Sequence, residues 1–211
     1  MIKNQKYKKI LKIIFEFIGL FVVIFGILYV VFNFSGVFAK IKYKLFKPEE
    51  LNMESIEKEL VVQKDKEEIE IADTLIIPKL NIRVPIIFSE KEEEIKEDLQ
   101  NGVSHYPLTS MPGERGNILI SGHSSNYFWE KGDYNYIFVN LAELQNNDKI
   151  FVYFKNNRYD YWVFENKELS LEGSKKEIFK EEDKSILNLL TCWPVGTHWR
   201  RLIIKANLIS L

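Results

Sequence analysis

A long apolar run near the N-terminus divides this 211-residue chain into two parts that fold in different surroundings. The run extends from Ile13 to Phe34 and is interrupted only by Glu16 near its start and Asn33 near its end. At about 1.5 Å per residue, a helix of this length crosses a hydrocarbon core about 30 Å thick. Residues 13–34 are therefore predicted to form a transmembrane helix, which leaves only the residues beyond it for a globular domain.

A cleaved secretory signal is the alternative interpretation of this run. Such signals have a shorter apolar region and small residues at the cleavage site, whereas segment 33–39 reads NFSGVFA, so an uncleaved signal anchor is favoured. Five lysines precede the run and four follow it closely, so the positive-inside tendency favours a cytoplasmic N-terminus, residues 1–12, only slightly. We expect a single-pass protein of the cell membrane whose globular domain is extracellular.

The charge of the chain is divided unevenly between the two parts. Residues 1–47 hold nine lysines and one glutamate, and because the whole chain has a net charge of −1, the remainder carries −9. An acidic globular part is unsuited to binding nucleic acid. The charged segment 35–72 is predicted to be a linker, either helical or a solvated stalk, that separates the membrane from the domain.

Short apolar runs separated by turn residues dominate residues 73–211. Pro85 lies inside one run and favours an edge or kinked strand there, whereas Asn156-Asn157 predicts a hairpin. Strands are predicted at 74–77, 82–88, 117–122, 149–154, 158–164, 188–192 and 201–209, and helical segments at 90–99, 141–144 and 181–187. The domain is thus mainly β, and many short strands with a few short helices indicate a closed or nearly closed β-barrel.

A single cysteine, Cys192, ends one predicted strand and is followed by Trp193-Pro194. A lone cysteine is most often a small buried apolar residue, and it cannot form an internal disulfide. Its position where a strand meets a loop would instead expose the sulfur. A nucleophilic thiol also needs a base or a positive charge near by, so both interpretations stay open at this point.

Three histidines are candidates for that base: His105, His123 and His198. His123 is favoured because it follows an apolar strand and Ser121-Gly122, although it could also be a hydrogen-bonded loop residue. His105 is interpreted as a structural turn residue, and His198, close to the thiol in sequence, as a residue that faces the substrate. A zinc site that includes Cys192 is set aside because the ligand spacing is wrong and there is no second thiol.

Two arginines, Arg200 and Arg201, open the last predicted strand. A guanidinium stays charged at any working pH and donates forked hydrogen bonds to an oxyanion or to carbonyl groups. Because successive residues of a strand point to opposite faces, only one of the two arginines can face the thiol.

Several ordered motifs of this chain resemble those of the sortases, membrane-anchored cysteine transpeptidases of the cell surface. The resemblance covers about residues 73–209 and extends to the N-terminal anchor. The first threonine of the family's cysteine motif is replaced by Asn188, which we expect to affect strand packing rather than chemistry. The matching segments are NLLTC at 188–192 for Thr-Leu-x-Thr-Cys, SGH at 121–123, RLIIK at 201–205, GVSHYP at 102–107, PGERGN at 112–117 and IPKLNI at 77–82.

The resemblance implies a sortase-like closed β-barrel and three catalytic residues. Cys192 would be the nucleophile, His123 the acid and base, and Arg201 the donor to the oxyanion. Thr191, which keeps the family's residue, and His198 would bind the substrate.

The resemblance also implies a reaction. The enzyme would cleave a C-terminal sorting signal (LPXTG-like) of exported proteins through a thioacyl-enzyme and transfer the acyl group to a cell-surface amine. The amine would come from a cell-wall precursor or a pilin. The alternatives are a hydrolytic cysteine peptidase of the same fold and a non-catalytic, membrane-tethered surface scaffold.

The sortase class and the need for a cofactor are predicted from features in which this chain differs from particular classes of the family. No long helical insertion follows Phe164, and the chain has no lid motif or second apolar span, so a compact class (D/E-like or unclassified) is favoured over classes B and C. No cofactor is expected. Calcium is bound by some class A members and could recruit Glu177, Glu181 and Glu182, but a solvated acidic face is the favoured interpretation.

Overall fold

A computed structural model of the chain describes residues 2–32, 40–41, 45, 51–64, 72–126, 130–180 and 182–210. Helix α1, Ile2–Phe32, contains most of the apolar run. Its segment Tyr7–Val31 has a mean hydropathy of 2.7 and no part buried against the protein, so it is long and apolar enough to cross a membrane. The predicted apolar helix is confirmed, and its predicted end at residue 34 lies outside the described residues.

The rest of the described chain is mainly β, as predicted. Helices α2, α3 and α4 are Met53–Lys64, Ile95–Asn101 and Leu171–Ile178, and short 3-10 turns lie at Pro78–Leu80, Glu92–Glu94 and Leu141–Glu143. The strands are β1 Thr74–Ile77, β2 Ile82–Phe88, β3 Val103–His105, β4 Gly116–Ser121, β5 Lys149–Phe154, β6 Asn157–Leu169, β7 Ser185–Trp193 and β8 Arg200–Ser210.

These strands form a closed barrel in the order β1-β2-β3-β4-β7-β8-β6-β5, and β5 pairs back onto β1. The β2–β3 and β4–β7 pairs are parallel, and the other pairs are antiparallel. Closure gives β2 a neighbour on each side, so of the two predicted alternatives at Pro85 the edge strand is wrong and the kinked strand stays a prediction. The proline is tolerated because β3 pairs with β2 only from Ile86 onward.

The barrel interior is filled by residues that alternate along each strand. Every second residue of a strand points to the same face, and the interior face collects the aliphatic side chains. The innermost are Leu75, Ile77, Val84, Ile118, Ile120, Leu187, Leu189, Leu202 and Ile204, each at most 2% exposed. The intervening residues point outward, and this outer face of β4, β7 and β8 carries the polar side chains described below.

Helix α2 packs on the outside of β1 and β5, within the segment predicted to be a linker. Ile56 is 6% exposed and contacts Ile76, Phe151 and Tyr153. Burying such a side chain contributes about 1.5–3 kcal/mol. The part of the predicted linker at 51–56 therefore packs on the barrel and is not a solvated stalk.

The helix predicted at 181–187 is wrong. Ser185 already belongs to β7, where it pairs with Gly116 of β4. The helix between β6 and β7 lies earlier, as α4, and its start is defined by Ser170, whose hydroxyl accepts a hydrogen bond from the Gly173 amide at 3.0 Å. The charged residues before β7 resemble a helix in composition, but pairing with two strands determines the conformation of residues 185–187.

Candidate active site

Cys192 and Arg201 lie directly opposite each other in the antiparallel β7–β8 pair. Directly opposed residues of such a pair point to the same face of the sheet. Leu189, three residues before the cysteine, is in the core, so alternation sends Cys192 and Arg201 to the outer face of the barrel. Both residues are half-buried on this face.

The other arginine is on the opposite face. Arg200 lies opposite Trp193, whose side chain packs against the core, and its guanidinium is 3.5 Å from a carboxylate oxygen of Glu168. The strand register therefore answers the question that the sequence left open, because it places Arg201 and not Arg200 on the face of the thiol.

His123 follows β4, which runs parallel to β7. The last residue pair of these strands is Ser121 with Leu190, and the Gly122 amide then donates to the Leu190 carbonyl at 3.1 Å. Beyond the end of β4, the Thr191 hydroxyl donates to the Gly122 carbonyl and the Ser124 hydroxyl donates to the Cys192 carbonyl, both at 2.7 Å, so the backbone of His123 runs beside Cys192. Gly122 is required there because a Cβ would lie 2.5 Å from the ring of Phe138.

Two serines after the histidine hold the end of the site together. The buried Ser124 hydroxyl donates to the Cys192 carbonyl at 2.7 Å, and the Ser125 hydroxyl accepts from the Gly196 amide at 2.9 Å. These bonds join the loop after His123 to the loop after Cys192. The sequence predicts a polar loop directly after His123, with both serines in it, as a wall of a cleft; their hydrogen bonds to the loop after Cys192 are seen only in the structure.

Thr191 and His198, the predicted substrate-binding residues, occupy different surroundings. Thr191 is 3% exposed, and its hydroxyl donates to the Gly122 carbonyl at 2.7 Å, so it joins β4 to β7 beneath the site. A direct substrate contact at Thr191 is therefore corrected to a structural role. His198 is exposed in the β7–β8 loop, and its carbonyl accepts a hydrogen bond from Arg201 at 3.3 Å. Its substrate contact stays a prediction.

Burial sets the protonation of the half-buried His123. Removal from water lowers its pKa below the ordinary 6.5, and the carboxylate of Glu130 opposes this effect to a smaller extent. The imidazole is therefore neutral near pH 7 and can accept a proton.

His105 is a buried strand residue and does not belong to the site. It is 2% exposed at the end of β3, stacks on Phe88 at 4.9 Å and contacts the Ser110 carbonyl through Nε2 at 3.0 Å. Its pKa is also lowered by burial. The structure therefore places it in the barrel wall rather than in the predicted turn.

The acidic residues considered for calcium are occupied by a lysine. Carboxylate oxygens of Glu177 and Glu182 lie 2.7 Å and 3.6 Å from the ammonium of Lys205. Glu181 lies outside the described residues. Within the described part of the chain, no group of three or more His, Cys, Asp or Glu side chains is arranged to hold a metal ion.

A family model described as the sortase domain matches residues 75–209, which is more than half of the chain. A closed barrel with a cysteine, a histidine and an arginine at neighbouring strand ends is the architecture that this match covers. The chain therefore belongs to the sortase family.

Two curated relatives match the same region. Sortase D of Bacillus subtilis is 29% identical over 139 residues, which cover 64% of this chain and 63% of that protein. Sortase A of Bacillus anthracis is 26% identical over 134 residues, which cover 64% of this chain and 58% of that protein. The match spans less than two thirds of the length of either relative.

Solved structures share the fold. Sortase A from Corynebacterium diphtheriae has a TM-score of 0.56 at 22% identity, covering 67% of this chain and 61% of that one. A structure of Clostridium perfringens sortase C with the C-terminal cell wall sorting motif has a TM-score of 0.55 at 24% identity, covering 65% and 70% of the two chains. At these identities the similarity establishes the fold alone.

Proposed function

We propose that the protein is a cysteine transpeptidase that cleaves a C-terminal, LPXTG-like sorting signal of exported proteins and transfers the acyl group to a cell-surface amine. The observation that carries the proposal is the strand pair that sets Cys192 opposite Arg201, together with the hydrogen bonds of Gly122 and Ser124 that hold the backbone of His123 beside Cys192. Membership of the sortase family supports the same reaction, and the Clostridium perfringens structure with a cell wall sorting motif supports the substrate class.

In the first half of the reaction, neutral His123 takes the proton of the Cys192 thiol. The sulfur then attacks the carbonyl carbon of the signal's threonine, which forms a C–S bond and a tetrahedral oxyanion. Arg201 donates hydrogen bonds to that oxyanion. When the intermediate collapses, the peptide C–N bond breaks and His123 gives its proton to the leaving amine, which leaves a thioester on Cys192.

The second half reverses these roles. The acceptor amine attacks the thioester carbonyl and loses a proton to His123. The new amide forms as the C–S bond breaks, and the departing sulfur regains the proton from the imidazolium. Partners would thus be exported proteins with sorting signals and an amine from a cell-wall precursor or a pilin.

Helix α1 supports a proposed location at the cell membrane. A single-pass anchor with an extracellular barrel would hold the site close to the membrane in which a sorting signal's own apolar span resides. The ammonium of Lys40, beyond the end of α1, lies 5.3 Å from the ring of Trp193, the residue after the cysteine. This contact supports a site near the membrane surface.

We also propose that the reaction needs no metal cofactor. Lys205 already neutralises the carboxylates of Glu177 and Glu182 that a calcium ion would require. Only the eight-residue α4 lies between β6 and β7 in the described chain, which supports a compact class. Equal rates in EDTA and in calcium chloride would agree with this proposal, and strong stimulation by calcium would reject it.

The decisive experiment incubates the full-length protein in detergent with sorting-signal peptides, with and without an added amine. Mass spectrometry should find a thioacyl adduct on Cys192 and, with the amine, a ligated product; Cys192→Ala should form neither. Capture of the acyl group by water alone would favour the hydrolytic peptidase. A Cys192 that resists thiol-reactive labelling in the folded protein would favour the scaffold.

A further inference from the structure

A buried lysine lies below the candidate site on the same outer face. Lys205 of β8 is 3% exposed and lies opposite Asn188 of β7. It follows Arg201 by four strand residues, a distance of about 13 Å. The mechanism proposed above does not use this charge, and a buried charge is costly unless it has partners.

The charged partners of Lys205 are Glu177 of helix α4 and, at 3.6 Å, Glu182 in the segment that follows this helix. One carboxylate oxygen of Glu177 lies 2.7 Å from the Lys205 ammonium, and the other lies 3.1 Å from the ammonium of Lys167. Hydrogen bonds from these two lysines lower the pKa of Glu177, so the carboxylate stays ionised. We name these three residues the α4 clamp.

Helix α4 extends along the sheet from the site to the clamp. It begins after Leu169, which pairs with Arg201, and Glu177 belongs to its last turn. Its eight residues span about 12 Å, which matches the distance between Arg201 and Lys205 along β8. Ser174 and Ile178 are 5% and 6% exposed, so the second half of the helix packs closely against the protein, whereas Leu171 at its start is 47% exposed.

A second connection holds the chain just after α4. The side-chain amide of Asn117 on β4 donates to the Lys180 carbonyl at 2.6 Å, and its oxygen accepts from Asn188 at 2.9 Å. Asn188 itself is fully buried. The far end of the β6–β7 connection is therefore bound to β4, β7 and β8, whereas its near end reaches the candidate site.

Between the site and the clamp, the sheet offers an apolar floor. Leu190 and Ile203 form the residue pair on the outer face immediately next to Cys192 and Arg201. Ile203 is fully buried, so the accessible part of this floor consists of Leu190 and of Leu169 on β6, opposite Arg201, which are both half-buried. An extended peptide whose carbonyl reaches the thiol would place its preceding apolar residues on this floor, beside α4.

We propose, on the basis of the proposed function, that the α4 clamp is a positioning device that holds α4 as a wall of the groove for the acyl-donor peptide. Glu177, Lys205 and Lys167 act through the helix and do not touch the reacting atoms. Loss of the clamp should therefore weaken peptide binding and leave the chemistry of the bound peptide intact.

The test compares Glu177→Gln with Glu172→Gln in the full-length protein. Glu172 is on the same helix and pairs with Lys176 at 2.8 Å, but both side chains are more than three quarters exposed, so it is a matched control. We expect Glu177→Gln to raise KM for a sorting-signal peptide about tenfold or more and to change kcat less than about twofold. The alkylation rate of Cys192 by iodoacetamide should stay at the wild-type value, and Glu172→Gln should behave as wild type.

Hydrogen exchange in α4 provides a readout that does not depend on activity. Glu177→Gln should accelerate exchange of the α4 amides, and Glu172→Gln should not. If Glu177→Gln does not fold, Lys167→Met removes a less buried part of the clamp and should shift KM and exchange in the same direction.

Several results would overturn the inference. In Glu177→Gln, these are unchanged hydrogen exchange in α4, or a wild-type KM despite faster exchange. An equal effect of Glu172→Gln would also overturn it, as would a parallel fall in kcat and in the rate of Cys192 alkylation in Glu177→Gln. A wild-type protein that turns over no sorting-signal peptide would instead refute the proposed function, so the two failures are distinguishable.

Discussion

The outer face of β7 and β8 carries a pair of polar residues at each of two positions, and the two pairs differ in burial. Where β7 ends and β8 begins, the opposed pair Cys192 and Arg201 is half-buried. Four residues along β8, the opposed pair Asn188 and Lys205 is buried beneath the β6–β7 connection, and the lysine is bound to Glu177. We call the position of Cys192 and Arg201 the reactive end, after the proposed function, and the position of Asn188 and Lys205 the sealed end.

This contrast shows how one sheet can serve both chemistry and architecture. A charge or amide removed from water needs hydrogen-bonding partners, and at the sealed end α4 supplies one to the Lys205 ammonium and β4 supplies one to the side-chain nitrogen of Asn188. The proposed nucleophile needs space for a substrate, and the reactive end is held by backbone bonds and by hydrogen bonds from the buried Ser124 and Thr191. Rigidity at one end therefore supports accessibility at the other.

The largest expected effect tests the reactive end. Arg201→Ala should lower kcat about 10²–10³-fold, because it removes the donor to the oxyanion. Its free energy of unfolding should change little, since the side chain is half-exposed. Arg200→Ala is the matched control on the opposite face and should be mild in a steady-state peptide assay. A severe defect in Arg200→Ala, with Arg201→Ala close to wild type, would show that Arg200 and not Arg201 is the donor to the oxyanion.

A smaller effect tests the sealed end. Asn188→Ala removes hydrogen bonds to Asn117, Ile118 and Ile186 and should lower the free energy of unfolding by about 1–3 kcal/mol. Urea denaturation would measure this loss, and kcat of the folded fraction should be close to wild type. Lost turnover at unchanged stability would contradict the division between the two ends.

The smallest expected effect is on the pH dependence of the free energy of unfolding, to which His105 and His123 both contribute. Burial lowers the pKa of both His105 and His123 below 6.5, so the unfolded chain binds more protons. Their contribution to stability is complete above pH 6.5 and is lost as the pH falls through the lower folded pKa values. Unfolding free energies measured from pH 8 downward should decline accordingly.

The variant His105→Gln separates the two histidines. It should reduce the pH dependence of the unfolding free energy, because one buried neutral imidazole is lost. The acid limb of kcat/KM should remain, since that limb reports the protonation of His123. An acid limb that disappears with His105→Gln would show that the buried histidine, and not His123, controls activity.

Local pattern was sufficient for much of the fold. Alternating apolar residues predicted most strands, the apolar run predicted α1, and motif spacing identified the sortase family. The helix expected at 181–187 failed because local composition competed with pairing to β4 and β8, and the pairing won. Helix α2 was open to two interpretations, since a charged segment does not reveal that Ile56 finds a partner surface on β1 and β5.

The sequence by itself determined the long apolar helix, the barrel class and the identity of the cysteine and histidine candidates, because each depends on residue type and short-range spacing. Only the tertiary structure chose Arg201 over Arg200, moved Thr191 beneath the site and brought Lys205 to Glu177. Lys205 stands as a lone charge within the apolar run at 202–206, which marks it as unusual but does not name its partner. These outcomes depend on strand register and on contacts between distant segments, and a one-residue shift in register would send each side chain to the other face.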